Sequence, residues 1–232
     1  MMLRIFAIAS CLASLGAMAA FAAFIQNWLP KSIDTGLPSF EGGTITNLLL
    51  LAAFGIVHSL MARPAFKRAL YGNHPALDRP IYILVSALQL WMLIAWWTPM
   101  PQMLWHANAP WAWTLWYALF GLANLLLASA VFSIDALHFF GLRQQEPPFA
   151  VNGPYRFVRH PIQTGLILAL WATPHMSIGH ALMAAVLSAY SIAATLGLEE
   201  RDLERALGDR YREYRSAVPA LLPSARRRKR RA

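Results

Sequence analysis

Two polar clusters interrupt an otherwise apolar chain. The first, Gly153-Pro154-Tyr155-Arg156-Phe157-Val158-Arg159-His160-Pro161, sets a guanidinium and an imidazole at the start of one apolar run. The second, Glu199-Glu200-Arg201-Asp202, sets carboxylates at the end of the next run, and Tyr211, Tyr214 and Pro219 follow it. Ionisable groups at the ends of membrane helices are costly to desolvate, so their presence there points to a site that binds something charged. The same groups also fit a plainer role, a snorkelling, salt-bridged rim at a membrane boundary. A further set, His58, Asp135 and His138, falls at or near the ends of other apolar runs and supplies groups able to accept a proton. A lone His58 on an apolar helix is also compatible with a hydrogen-bonded core histidine.

The elements that must position these groups are membrane helices. With 57% hydrophobic residues, nine tryptophans and 13% charged residues in 232, the chain has too little polar sequence to cover a soluble domain. Apolar runs of spanning length lie near Leu3–Ile25, Ile45–Ala62, Ile81–Trp97, Trp113–Ile134, Ile162–Thr173 and Gly179–Leu198. The fold class expected is therefore all-α, polytopic, with about six transmembrane helices. The short fifth run meets Pro174 and forms a helical hairpin with the sixth, followed by a cytoplasmic amphipathic C-terminal segment. Residues 1–223 read as a single domain and residues 224–232 as a basic cytoplasmic tail.

Lysine and arginine positions orient the spans. With the N-terminus inside, every one of the 20 basic residues except Lys31 falls on the cytoplasmic side. Met1-Met2-Leu3-Arg4 and Ala17-Met18-Ala19 also fit a cleavable leader, but the run continues apolar to Ile25, which favours retention. His58, His138, His160, Asp135, Glu199 and Glu200 then meet one face. Counting helical rise back from a turn near Met176 puts Glu199 about 12 Å beyond His160 on the cytoplasmic side.

Several chemistries lose ground at this point. Cys11 is the single cysteine, so no intramolecular disulfide is possible, and with nothing polar around it in an apolar run cysteine catalysis is not expected. The net charge of +9 comes largely from Arg226 to Arg231, which reads as a topology or anionic-lipid determinant and not as a nucleic-acid arm. No histidine spacing of a membrane di-iron enzyme occurs, and no metal is expected. Neither the phosphate-binding nor the dinucleotide glycine motif is present.

Arg159-His160-Pro161…Gly165, Glu199-Glu200, Gly208, Tyr211, Tyr214 and Val218-Pro219 together resemble the C-terminal signature of the isoprenylcysteine carboxyl methyltransferase superfamily, membrane enzymes that use S-adenosylmethionine. Upstream, His58-Ser59-Leu60-Met61-Ala62-Arg63-Pro64-Ala65-Phe66-Lys67, Trp96-Trp97-Thr98-Pro99-Met100-Pro101, Phe140-Gly141-Leu142-Arg143-Gln144 and Trp171-Ala172-Thr173-Pro174 resemble its bacterial methanethiol S-methyltransferase branch. The resemblance runs from about Leu48 to Pro223. It departs at Gln163, where many members of the superfamily have tyrosine.

The resemblance implies methyl transfer from S-adenosylmethionine to a small volatile thiol, methanethiol, giving dimethyl sulfide. The implied setting is a bacterial cytoplasmic membrane with the site facing the cytoplasm, and with membrane lipids as neighbours. Tyr155, Arg159, His160, Glu199, Glu200, Tyr211 and Tyr214 are then expected to bind the cofactor, whose sulfonium, amino-acid end and adenine need carboxylates, a guanidinium and aromatic walls. His58, Asp135 and His138 are expected to serve as the base, because a thiolate is the nucleophile and an alkyl thiol titrates at roughly 8.5. Two alternatives stand: carboxyl methylation of a lipidated or prenylated cysteine-like acceptor, and a non-catalytic nurim-like membrane protein. Oligomeric state is not legible.

Overall fold

The computed structural model describes residues 1–37, 41–72, 74–145 and 147–223, so the expected basic tail lies outside the described residues. Ten α-helices are found among them: α1 Met2–Ile25, α2 Glu41–Ala62, α3 Pro64–Tyr71, α4 Asp78–Trp96, α5 Pro110–Ile134, α6 Ala136–Phe139, α7 Pro161–Trp171, α8 Ile178–Ala194, α9 Glu200–Leu207 and α10 Asp209–Ala217. Proline opens α3, α5 and α7, where its missing N–H is not needed and its fixed φ suits the first turn. A π-helical turn over Thr195–Glu199 joins α8 to α9 without a break.

Five helical stretches are long and apolar enough to cross a membrane: Met2–Ile25, Gly42–Ala62, Pro75–Trp96, Pro110–Ile134 and Ile178–Leu207. Their outward faces are as apolar as their inward ones. Ile5, Ile8 and Leu12 on α1, Leu49 and Ile56 on α2, and Leu122, Leu125 and Phe132 on α5 are all exposed, an arrangement that hydrocarbon tolerates and water does not. The expected fifth span is the exception. Helix α7 has 11 residues, about 16 Å at 1.5 Å per residue, roughly half the hydrocarbon thickness of a bilayer.

After α7 the chain leaves helical geometry altogether. Ala172-Thr173-Pro174 runs into strand β2, His175–Ser177, which pairs antiparallel with strand β1, Met103–His106. The all-α expectation therefore missed a two-stranded ribbon. Prolines 99, 101, 110 and 174 bracket these segments and deny them a helical ladder, while cross-strand bonds satisfy their backbones. At this ribbon end His106 Nδ1 and His175 Nδ1 lie 2.7 Å apart and share a hydrogen bond.

Helix α5 lies along α7, α1 along α4, and α2 contacts both α4 and α8. The main core joins Phe21, Phe24, Leu93, Trp97, Phe120, Leu170, Met183 and Leu187. A separate small core of Tyr211, Tyr214 and Val218, backed by Phe149, Val151, Leu203 and Leu207, holds α9 and α10 together at the other end of the molecule. Gly165 permits the closest helix approach: a Cβ there would lie 2.9 Å from the Ala123 carbonyl oxygen and 3.0 Å from the Leu127 nitrogen.

At Gly121, also helical, a Cβ would meet nothing within 4 Å. Gly165→Ala should therefore cost about 1–3 kcal/mol by overpacking α5 against α7. Gly121→Ala should instead stabilise by about 1 kcal/mol through helix propensity. Thermal unfolding midpoints of the two variants in one detergent check the opposite signs.

Candidate active site

The two polar clusters meet. Arg159 and His160 precede α7, with His160 as its N-cap residue, and Glu200 opens α9 immediately after the π turn. Glu200 Oε1 accepts from Arg159 Nε at 2.9 Å, from Arg159 Nη2 at 2.6 Å and from His160 Nε2 at 3.0 Å. Its Oε2 lies 3.3 Å from Arg215 Nε on α10. The Glu200 and His160 side chains are each 3% exposed and that of Arg159 is 9% exposed. A charge buried to this degree persists only when its partners replace water, and here each oxygen of Glu200 has one.

Arg159 also fastens the C-terminal segment. Its Nη1 donates to the carbonyl oxygens of Arg215 and Val218. The backbone N–H groups of Arg159 and His160 donate to Pro219 and Ala220, at 2.8 and 3.0 Å. Thr164 Oγ1 adds a 2.8 Å bond to Leu221 O. One buried carboxylate, one guanidinium and a short extended strap thus hold α9 and α10 against the start of α7.

This contact corrects the 12 Å offset expected from helix counting. The count treated the α7–α8 connection as a helical apex at Met176. Residues 172–177 are instead non-helical, and extended chain rises about 3.3 Å per residue against 1.5 Å in a helix. The taller connection lets a short α7 match a long α8, so His160 and Glu200 come level.

Glu199 differs from its neighbour. Its side chain is 44% exposed, with Oε1 3.9 Å from His160 Nδ1. Gln163 Nε2 donates to Oε2 at 3.3 Å. Gln163, the departure from the superfamily pattern, is therefore turned onto the one carboxylate of the pair that keeps an open edge.

Three tyrosines stand alongside. Tyr214 donates to the carbonyl oxygen of Tyr155 at 2.7 Å, which pins α10 to the turn Gly153–Arg156. Burial pushes the Tyr211 and Tyr214 hydroxyls up to about 12. Burial, with the Glu199 charge adding to it, also raises Tyr155. Among the described residues the buried Tyr211 hydroxyl meets no hydrogen-bond partner of ordinary geometry, although the Arg159 side chain bears on it weakly. An orphaned buried hydroxyl is an anomaly that a bound polar group would relieve.

The three candidate bases do not form one cluster. Asp135 adopts φ 99° and caps α6: its Oδ1 accepts from the N–H groups of Leu137 and His138, and its Oδ2 from Arg143. The His138 N–H, with help from Arg143, holds this carboxyl below the usual carboxylate range. His138 Nδ1 lies 3.2 Å from Arg143 O. His58, on α2, stacks on Phe54 with ring centroids 5.2 Å apart and bonds across to Tyr82 and Ser86 on α4. Arg79 links the two regions, with its guanidinium 5.6 Å from the Tyr82 ring and 5.2 Å from that of Phe139.

Sequence reading missed Tyr82, Ser86 and Gln163 as contributors, along with the Arg63–Asp202 ion pair at 2.8 Å between the end of α2 and α9. Tyr82 and Ser86 are spaced i, i+4 on one helix face, which was visible; their facing partner was not. Between α2 and α8 an open groove of about 400 Å³ is lined by Leu51, Gly55, Ile56, Ala194 and Leu198, with a Ser59–Tyr190 hydroxyl pair 2.9 Å apart at its wall.

Arg159→Ala leaves Glu200 buried without its guanidinium and should cost about 3–5 kcal/mol. Limited proteolysis should then cut around Gly208, because α9 and α10 lose their tie. Glu199→Gln, at a half-open carboxylate, should shift stability by no more than roughly 0.5 kcal/mol. Unfolding midpoints and digestion patterns of the two variants test the contrast.

Comparison with known proteins agrees with the signature. The family model described as NnrU protein matches residues 47–222. Methanethiol S-methyltransferase 2 of Bradyrhizobium diazoefficiens is 42% identical over 220 residues, covering 88% of this chain and 84% of the relative. Methanethiol S-methyltransferase of Mycobacterium tuberculosis is 37% identical over 209 residues, 84% of each chain. Nurim of Sus scrofa is more distant, at 31% over 175 residues, covering 68% of this chain and 66% of the relative. No solved structure matches. With the family model spanning most of its length, this chain is a member of the NnrU protein family.

Proposed function

We propose that this chain is a membrane methyltransferase that moves a methyl group from S-adenosylmethionine to methanethiol, giving dimethyl sulfide. The observation that carries the reading is the convergence of Arg159, His160, Glu199, Glu200 and Tyr211 at one end of a bundle whose curated relatives are named for this activity. The residues present suit the cofactor's chemistry. Glu199 offers a carboxylate edge for an ammonium or sulfonium, Tyr211 an unpartnered buried hydroxyl, and Tyr155 an aromatic wall. When bound, S-adenosylmethionine supplies an electrophilic methyl carbon on a sulfonium.

Within this reading the protein's own residues divide the labour. Glu200, saturated by Arg159, His160 and Arg215, keeps α9 and α10 folded over the site, while Glu199 faces the ligand. Direct displacement depends on alignment and on excluding water, and the small core around Tyr211 and Tyr214 serves that end. His58 is the final proton acceptor of choice, directly or through a bonded neighbour, because both oxygens of Asp135 are taken by α6 and Arg143. Asp135 and His138 shape the neighbouring wall.

In the proposed topology α7 and its extended continuation pair with α8 as a re-entrant or sixth span. Both ends face the cytoplasm of a bacterial inner membrane, consistent with every basic residue but Lys31 falling on that side. The charged cofactor then arrives from the cytosol, and an apolar thiol arrives through the bilayer-facing groove between α2 and α8. Because the groove is open along one side, a longer apolar acceptor is the second reading.

Purified protein supplied with S-adenosylmethionine and a panel of thiols from methanethiol to long-chain alkyl thiols should release dimethyl sulfide, read by headspace gas chromatography. Preference for long-chain acceptors would favour the second reading, and no methylated product from any thiol would sink both. In calorimetric titration Glu199→Gln should weaken S-adenosylmethionine binding about tenfold, a loss of about 1.4 kcal/mol. Unchanged affinity would remove Glu199 from the ligand's partners.

A further inference from the structure

The hydrogen-bond distances around His58 favour one arrangement of its protons. Ser86 has a single hydroxyl proton, and it points to the carbonyl oxygen of Tyr82, 2.8 Å away, one turn back on α4. Towards His58 Nδ1, 3.2 Å away, Ser86 Oγ can therefore only accept. The neutral ring consequently carries its proton on Nδ1, and Nε2 is a bare acceptor. Tyr82 Oη, 2.7 Å from Nε2, must be the donor.

This order changes what His58 can do. Both of its nitrogens are engaged, and its ring is sandwiched between Phe54 and Tyr82, with centroids 5.2 and 5.0 Å away. With Nε2 occupied by Tyr82, the His58 ring has no free lone pair to offer a thiol. The Tyr82 oxygen keeps lone pairs free, its side chain is half-buried, and the Arg79 guanidinium stands 5.6 Å from its ring. Phe54, stacked on His58, also meets the ring of Tyr190 on the wall of the apolar groove, with centroids 6.5 Å apart. The Tyr82–His58 pair thus lies beside the wall of the groove assigned to the thiol.

We propose that Tyr82 is a catalytic residue, the group that takes the thiol proton while passing its own to His58. This rests on the methyltransferase reading above. The balance is complete within it. As the thiol sulfur forms its bond to the methyl carbon, the carbon–sulfur bond of the sulfonium breaks and its electron pair stays on the departing sulfur. The S–H proton moves to Tyr82 Oη, the Tyr82 proton moves to His58 Nε2, and the resulting imidazolium is held through Nδ1–H by Ser86. Release of that proton to solvent resets the pair.

Tyr82→Phe keeps the ring, its stacking on His58 and its contact with Arg79, and removes only the hydroxyl. In the full-length protein, kcat with methanethiol at neutral pH should fall about 100-fold, with S-adenosylmethionine affinity and unfolding midpoint unchanged. The deficit should shrink to a few-fold with an aryl thiol already ionised at the assay pH, and should narrow with methanethiol as pH rises. A merely structural tyrosine would cost the same for both thiols. Independently of activity, nitrogen NMR of histidine-labelled protein, assigned with His58→Asn, should show the Nδ1–H tautomer, shifting towards Nε2–H in Ser86→Ala. A Tyr82→Phe enzyme as fast as the wild type, an equal deficit for both thiols, or an Nε2–H tautomer would overturn the relay and leave the methyltransferase reading standing. A wild-type protein that methylates no thiol overturns both.

Discussion

A carboxylate with 3% of its side chain exposed sets the terms for the charged end of this molecule. Glu200 sits at the close of a long apolar helical stretch, where few waters remain to solvate it. Ionised, it needs partners that replace those waters, and the fold delivers them from three places in the sequence: Arg159 and His160 before α7, and Arg215 from α10. The guanidinium that neutralises it then spends its remaining N–H on the backbone of Arg215 and Val218. Of the ties between the polar C-terminal helices and the membrane bundle, which include the Arg63–Asp202 pair and the Tyr214–Tyr155 bond, that carboxylate is the most deeply buried.

From that anchor the rest of the charged end follows. Glu200 is saturated, whereas the adjacent Glu199 keeps an open edge beside its contacts with Gln163 and, at longer range, His160. The π turn ends on Glu199 itself, and π turns recur near functional residues. The small core around Tyr211 and Tyr214 closes over the anchor and leaves one buried hydroxyl without a partner. In the proposed reading, structure and ligand recognition are thus divided between two consecutive residues of the same chemical type.

The opposite end solves a different problem. Helix α7 is too short to span, yet its C-terminus must connect to the start of α8. A two-stranded ribbon supplies the missing height and satisfies the backbone groups that prolines deny to a helix. The extended connection brings His160 level with Glu200, so the geometry of the site depends on a feature far from it. The Gly165 contact with Ala123 and Leu127 presses α7 close against α5.

The sequence by itself determined the membrane class, the boundaries of the long helices, the family signature and the identity of most charged groups at the site. These depend on local composition and on the cost of burying polar atoms in hydrocarbon, both of which are written residue by residue. It did not determine the β ribbon, because four-residue apolar segments such as Met103–His106 carry no decisive period. Nor did it reveal that Glu200 is the structural member of its pair, that Gln163 reaches Glu199, or that His58 is covered by Tyr82. Those outcomes are set by which side chain lies within 3 Å of which, and that depends on the relative height and rotation of helices far apart in the chain, which only tertiary packing decides.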